Sequence, residues 1–379
     1  MTGFARHQGA LDLLKQRSRY RSLMPRAGHD FASNDYLGLA GSDLLREAAQ
    51  AALARGVPVG AGGSRLLRGN DDEHSRLEEE AAALFGTQRA LFMGGGFQAN
   101  TAIFATLPAQ GDLILHDALV HASVHDGMRL GRAETQSFAH NDVSAADAAI
   151  LNWKAQNDGR VWIAIETLYS MDGDRAPVAD FMALATRHDA VLVADEAHAT
   201  GLWGQGGLGL THEFSQNANL LTLHTCGKGL GVSGALICGH SALIDTLINK
   251  ARGFIFATAP SPLNAALVRA ALASLSSHPE HRDAALNLQS HAHAEAQRLC
   301  GLSDFQSQIM PIVIGKDAPT MALAAGLQAA GYDIRGIRPP TVPRGGSRLR
   351  ISITRNVSAA IITEMFATLA RLMEDAPHD

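Results

Sequence analysis

The sequence predicts an α/β protein with a mostly parallel central sheet, and three observations carry that expectation. Seven short apolar runs, at 89–93, 112–116, 135–139, 161–166, 191–195, 220–224 and 234–238, alternate with stretches of helical periodicity. That alternation is the pattern of strands joined by crossover helices that cover both faces of a sheet. Polar residues (His116, Glu166, Asp195 and His224) fall at or near the carboxyl ends of these runs, where such sheets bind ligands. After about residue 275 the alternation gives way to a long helical stretch and a few further elements, as expected of a second, smaller unit.

In chain order, Leu11, Leu13 and Leu14 suggest a short helix, and 31–39 reads as an extended piece ending in a turn. Residues 1–40 therefore form an N-terminal arm that looks separate from the main domain. Residues 42–55 read as a helix with Ser42 as N-cap, 56–69 as a glycine- and arginine-rich loop, and 71–85 as a second capped helix. With the seven strands they make a large α/β domain over 41–275. The helical stretch that follows carries His278, His281, His291 and His293, which lack a ligand pattern with nearby carboxylates or cysteines. A solvated helix face is expected there, and no metal. Strand-like 309–314, a helix over 320–330, strand-like 349–354 and a last helix over 359–373 form a smaller α+β domain, 276–379.

Composition narrows the class. The chain has 379 residues, of which 46% are hydrophobic and 18% charged, and its net charge is −5. That is the balance of an ordinary globular enzyme, and no basic stripe points to nucleic acid. Cys226, Cys238 and Cys300 are odd in number and lack metal-ligand spacing, which fits a reducing compartment, the cytoplasm by default. Arg6, Arg17, Arg19, Arg21 and Arg26, with only Asp12 as an acidic residue before position 30, raise the alternative of an organellar transit peptide. No window approaches the roughly 20 apolar residues of a membrane span.

The chemistry centres on Thr225-Cys226-Gly227-Lys228-Gly229-Leu230-Gly231. Its glycines let the backbone turn sharply and leave the lysine stem free to reach into a cleft. Asp195 ends an apolar run 33 residues earlier, and His198 follows it by three. A pyridoxal phosphate site needs a lysine amine for the aldehyde and a carboxylate to keep the pyridine nitrogen protonated. Lys228 and Asp195 fit those roles, and His198 fits the ring's phenolic oxygen. The phosphate needs backbone N–H groups at a glycine-rich helix start. Gly94-Gly95-Gly96-Phe97 supplies one, and Thr225 adds a hydroxyl. His121 is placed to stack on the ring or to polarise a substrate carbonyl. Taken singly, each residue has a structural reading too: Asp195 as a helix cap, the triple glycine as a tight turn, His121 as a packed ring. Asp195-Glu196-Ala197-His198 also spells a helicase motif, but position 222 is threonine and position 229 is glycine, so no P-loop surrounds the lysine.

The combined pattern resembles the α-oxoamine synthases, a family of fold-type-I pyridoxal-phosphate enzymes. The resemblance runs through 33–39, 60–65, 96–100, 138–142, 170–174, 195–201 and 227–234, in that order. It implies a fold-type-I transferase and a homodimer with shared active sites. By resemblance Lys228 holds the cofactor and acts as base, Asp195 pairs with the pyridine nitrogen, and His198 contacts the ring oxygen. His121 stacks on the ring with Ser170 nearby; Gly96, Phe97 and Thr225 hold the cofactor; Thr258 reaches the partner subunit's phosphate. Arg350 matches the arginine that grips the amino acid's carboxylate. Asn34, Arg19, Arg21, Arg338 and Thr341 are further substrate candidates. Residues 337–343 and 347–350 look most like the branch that joins L-alanine to a pimeloyl thioester, on coenzyme A or acyl carrier protein, in biotin biosynthesis. Sister reactions with glycine or another acyl chain remain alternatives, because a methyl-sized pocket discriminates by only about 1–3 kcal/mol. A non-catalytic member of the fold is a further alternative.

Overall fold

The computed structural model describes residues 3–375. The chain forms two compact units: one of Asp35–Ser170 and Arg175–Asp283, the other of the residues up to Asn34, Met171–Asp174, and those from Ala284 on. The divisions at 34/35 and 283/284 differ from the expected 40/41 and 275/276. Pairing near the N-terminus explains the first. After α1 (Ala5–Gln16), which buries none of its residues, β1 (His29–Asp30) pairs in parallel with Tyr332–Asp333. Phe31 is then wholly buried in the apolar cluster of the C-terminal region. A two-residue strand has no readable periodicity, so only its partner gives it away.

The larger unit opens with α2 (Asp43–Ala54), capped by Ser42, and α3 (Asp72–Leu84), where Asp71 and the His74 ring cap reciprocally. Strands and helices then alternate: β2 (Arg89–Met93), α4 (Gly96–Thr106), β3 (Leu113–Asp117), α5 (Ala122–Leu130), β4 (Glu134–Phe138), α6 (Val143–Lys154), β5 (Val161–Glu166) and α7 (Val178–Arg187). Next come β6 (Val191–Asp195), β7 (Leu220–Thr225), β8 (Ala235–Gly239), α8 (Ser241–Lys250), α9 (Arg252–Ile255) and α10 (Pro262–Ser277). The strands lie in the order β2-β8-β7-β6-β5-β3-β4, and β8 alone runs against its neighbours. Each expected strand of this sheet is present to within a residue or two.

Alternation of side chains assigns the faces. Ile114, Trp162, Ala164, Val191, Val193, Leu221 and Leu223 enter one apolar cluster; Leu115, Ile163, Ile165, Leu192, Ala194 and Leu220 enter the other. Counting on by twos, Glu166, Asp195 and Thr225 continue the first face. His224 continues the second.

The smaller unit takes most of α11 (Pro279–Cys300), then β9 (Ile309–Gly315), α12 (Asp317–Ala329), β10 (Tyr332–Asp333), β11 (Arg335–Ile337), β12 (Ser347–Ser352) and α13 (Ala359–Glu374). Its three-stranded antiparallel sheet has the order β11-β12-β9. Phe31, Ile312, Leu349, Ile351, Phe366 and Leu369 pack together beneath the helices. The α11 histidines are not a uniformly solvated face. His291 Nε2 lies 3.0 Å from the Ala359 carbonyl, and His293 Nε2 lies 2.8 Å from that of Ser307. His278 and Glu280 are exposed, and their ligand atoms and that of His281 lie within 4.8 Å of one another. Among the described residues no helix is long and apolar enough to cross a membrane.

Truncating a fully buried phenylalanine costs about 3–5 kcal/mol. Phe31→Ala should therefore lower the urea midpoint of the smaller unit, whereas Leu11→Ala on the open surface of α1 should change it little. An unchanged midpoint in Phe31→Ala would contradict this packing.

Candidate active site

The lysine loop closes tightly after β7. Cys226 N–H donates to the Gly234 carbonyl, and Val232 N–H donates to that of Cys226. The glycines around Lys228 serve close packing more than slack. A Cβ on Gly229 would lie 2.5 Å from the Thr200 carbonyl oxygen, and one on Gly231, at φ +67°, 2.5 Å from Ala40 N. So fixed, Lys228 holds its Nζ 2.8 Å from His198 Nε2, and His198 Nδ1 lies 2.6 Å from the buried Tyr36 hydroxyl.

Parity brings two carboxyl groups together. Glu166 and Asp195 are register partners on adjacent parallel strands, and both side chains are buried. Asp195 Oδ1 accepts the Ala197 N–H at 2.9 Å, and Oδ2 accepts the Asn100 amide at 2.8 Å. Glu166 has less: Oε2 accepts the Ser170 N–H at 3.0 Å, while Oε1 is buried without a partner. Burial first, and the adjacent Asp195 second, push the Glu166 carboxyl up to about 8. The same Asn100 amide reaches Ser123 Oγ at 3.1 Å, and Ser123 Oγ lies 2.7 Å from His121 Nδ1. His121 is open to solvent on one side. Lost hydration on the other is the leading cause that lowers its pKa, with Lys228 adding to the effect and Asp195 opposing it.

The N-terminus of α4 faces the same region. Its cap, Gly95, offers no side-chain acceptor to the first-turn N–H groups, which are left for an anion. Gly96 is needed for contact, because a Cβ there would sit 2.5 Å from Thr225 Cγ2. Exposed Phe97 meets the His121 ring edge-on at 6.3 Å. An amine, a buried carboxylate, a ring histidine and uncapped helix N–H groups are the donor set that pyridoxal phosphate requires, so the residues present fit that cofactor. Thr258 is exposed in the connection between α9 and α10.

His224 does not join this group. It faces the other side of the sheet, stacked on Phe85 at 3.8 Å with its nitrogens 2.9 and 3.0 Å from the Thr200 and Thr222 hydroxyls. Burial holds its pKa down to about 3. It is a packed core ring. His116 meets His125 edge-on and bonds the Asp117 carbonyl.

Within the smaller unit, buried Arg350 donates to Ser352 Oγ at 2.7 Å and to Asn34 Oδ1 at 3.0 Å. Arg19 pairs with Asp317 at 2.6 Å, and Arg21 donates to Thr341 Oγ1 at 3.3 Å. Arg338 donates to the Ser18 carbonyl; burial and nearby Arg21 lower its pKa. Arg19 and Arg21 line a cavity of about 410 Å³ with Arg17, Arg344 and a proline-rich wall.

Asn100, Ser123 and Tyr36 were not singled out from the sequence. Ser123 has a local signal, since His121 N-caps α5 and its ring accepts the Ser123 N–H. Tyr36 has none: it is 162 residues from its histidine.

The Glu166 environment makes stability depend on pH. In the folded protein the proton is held to about pH 8, against 4.5 ordinarily, so folding takes up a proton between those values. The stability from this group is complete below about pH 4.5 and is lost as pH rises towards 8. Glu166→Gln, which cannot ionise, should gain in melting temperature over wild type at pH 8 more than at pH 5. An equal difference at both would refute the assignment.

The model of the family "Aminotransferase class I and II" matches residues 28–369. An 8-amino-7-oxononanoate synthase of Anaeromyxobacter dehalogenans is 37% identical over 93% of this chain and 88% of its own. Among solved structures, the serine palmitoyltransferase of Sphingomonas wittichii superposes with a TM-score of 0.88 at 26% identity, covering 99% of both chains. The 8-amino-7-oxononanoate synthase of Francisella tularensis gives 0.75 at 26% identity, covering 92% of this chain and 98% of that one. With the cofactor's donor set assembled on the sheet, these likenesses show that the chain belongs to the aminotransferase class I and II family, in its α-oxoamine synthase branch, as a pyridoxal-phosphate-dependent acyltransferase.

Proposed function

We propose that this acyltransferase condenses L-alanine with a pimeloyl thioester, on coenzyme A or acyl carrier protein, to give 8-amino-7-oxononanoate, CO2 and the free thiol carrier in biotin biosynthesis. The observation that carries the proposal is the Lys228 amine held 2.8 Å from His198 on a chain 37% identical to an enzyme of that name. Three unpaired cysteines fit a cytoplasmic protein. A homodimer with shared sites, in which Thr258 reaches the partner's phosphate, completes the reading.

When bound, pyridoxal phosphate supplies an electron sink for the pair left on the amino acid's Cα. Lys228 would hold the cofactor through its aldehyde, and its amine, when free, would serve as the base for the Cα proton. Asp195, steadied by two N–H donors, would keep a proton on the pyridine nitrogen. His198, braced by Tyr36, would contact the phenolic oxygen. Thr225 and the first-turn N–H groups of Gly96 and Phe97 hold the phosphate, with Ser170 nearby. Arg350, oriented by Ser352 and Asn34, grips the alanine carboxylate. His121 would stack on the ring and polarise the thioester carbonyl. Cα then bonds to that carbonyl carbon as the C–S bond breaks and the thiol carrier leaves; CO2 is lost from the condensed β-keto acid, and the electron pair left on Cα takes up a proton before release. Arg19, Arg21, Arg338 and Thr341 bind the acyl substrate.

A sister reaction with serine or glycine is the second reading, favoured by the TM-score of 0.88 to a serine palmitoyltransferase. A thiol-release assay that pairs alanine, glycine or serine with pimeloyl, acetyl, succinyl or palmitoyl thioesters separates the two. Preference for alanine with pimeloyl is expected; preference for any other pair overturns the proposal. Lys228→Ala should lower turnover by roughly a thousandfold or more and remove the absorbance of lysine-bound cofactor. Arg350→Lys should raise KM for alanine by roughly tenfold, about 1.4 kcal/mol, with a smaller change in kcat. An unaltered KM would remove Arg350 from the carboxylate.

A further inference from the structure

The hydrogen bonds between Asp195 and His121 have a fixed direction. A carboxylate oxygen only accepts, so the Asn100 atom 2.8 Å from Asp195 Oδ2 is the amide nitrogen; a flipped amide would set oxygen against oxygen. That nitrogen has two hydrogens. The second lies towards Ser123 Oγ, 3.1 Å away. Ser123 Oγ thus accepts from Asn100 and turns its own hydrogen to His121 Nδ1, at 2.7 Å. The Ser123 backbone N–H is also directed at Nδ1, at 3.3 Å. With two donors facing it, Nδ1 has no room for a proton, and the neutral ring must carry its hydrogen on Nε2. Asn100, Ser123 and Asp195 are all buried, which shields the chain from competing water.

We propose that Asn100 and Ser123 are positioning residues that lock His121 in its Nε2–H tautomer, making the ring a hydrogen-bond donor to the acyl carbonyl oxygen and not a base. The identity of that acceptor rests on the acyl transfer proposed above; the tautomer does not. Partial desolvation of His121 works in the same direction, since it favours the neutral ring. As negative charge develops on the carbonyl oxygen, Nε2–H is already in place to meet it. A ring free to exchange tautomers would present a lone pair part of the time.

The test reads the ring directly. Full-length protein labelled with 15N-histidine, with and without pyridoxal phosphate, gives the tautomer from long-range proton–nitrogen couplings, and the His121 signals are those lost in His121→Gln. Wild type should show a bare Nδ1 and a protonated Nε2 at neutral pH. Ser123→Ala should show mixed tautomers and a titration midpoint raised by about half to one pH unit, because a donor that favoured the neutral ring is gone. Ser123→Thr, which keeps the hydroxyl, should restore both. In the thiol-release assay kcat should fall roughly tenfold in Ser123→Ala and recover in Ser123→Thr, with KM for alanine nearly unchanged. A wild-type ring protonated on Nδ1, or a Ser123→Ala ring with unaltered tautomer and midpoint, overturns the proposal. If the tautomer is as expected but no acyl thioester releases thiol, the lock stands and the acyltransfer reading falls.

Discussion

Two carboxyl groups on neighbouring strands of an apolar sheet cannot both be charged without strong compensation, and much of the larger unit is arranged around that constraint. Glu166 and Asp195 share a face because parallel strands in register keep paired residues on the same side. The donors are divided unequally between them. Asp195 receives a backbone N–H and the Asn100 amide, whereas Glu166 receives one backbone N–H and leaves an oxygen bare. The proton is held on the poorly bonded Glu166, whose pKa is raised by burial, while the donors that a carboxylate can accept converge on Asp195.

A third buried carboxyl, Glu196, has a different task. Its oxygens accept the hydroxyls of Thr167 and Thr211 and the backbone N–H groups of Leu210 and Thr211. Those bonds anchor the glycine-rich 203–211 segment beneath the sheet ends, and a Cβ on Gly209 would lie 2.7 Å from the Glu196 carboxyl carbon. Adjacent residues thus point to opposite faces, Asp195 to the site and Glu196 to its support. The helicase-like spelling of that stretch is a by-product of this division.

Most of the larger unit was legible in the sequence because β3, β5, β6, β7 and β8 are buried throughout and stand out as largely apolar runs, whereas the edge strand β4 buries Phe138 alone. What the sequence lacked was parity: His224 sits at a strand end as expected, yet the count of twos turns it onto Phe85. Long-range partners were equally hidden. Nothing near Phe31 announces that it completes the core of a unit some 300 residues away, and Tyr36 is recognisable only once His198 is beside it. Arg348 shows the same limit. It alternates with Arg350 along β12 and pairs with Asp172 at 2.6 Å, within the short 171–174 segment that belongs to the smaller unit. Lys228, Asp195 and His198, by contrast, stand out by their spacing along the chain, and the fold sets Lys228 Nζ 2.8 Å from His198 Nε2.

Asn100, the side chain that joins Asp195 to Ser123, is an amide and has no proton it can surrender. A serine, histidine or water there would pass protons between the carboxylate and the His121 ring; an amide passes only orientation. The link therefore carries direction from the buried carboxylate to the His121 ring without carrying a proton, so that the two communicate through space, by the Asp195 charge that the ring feels, and not by transfer along the chain.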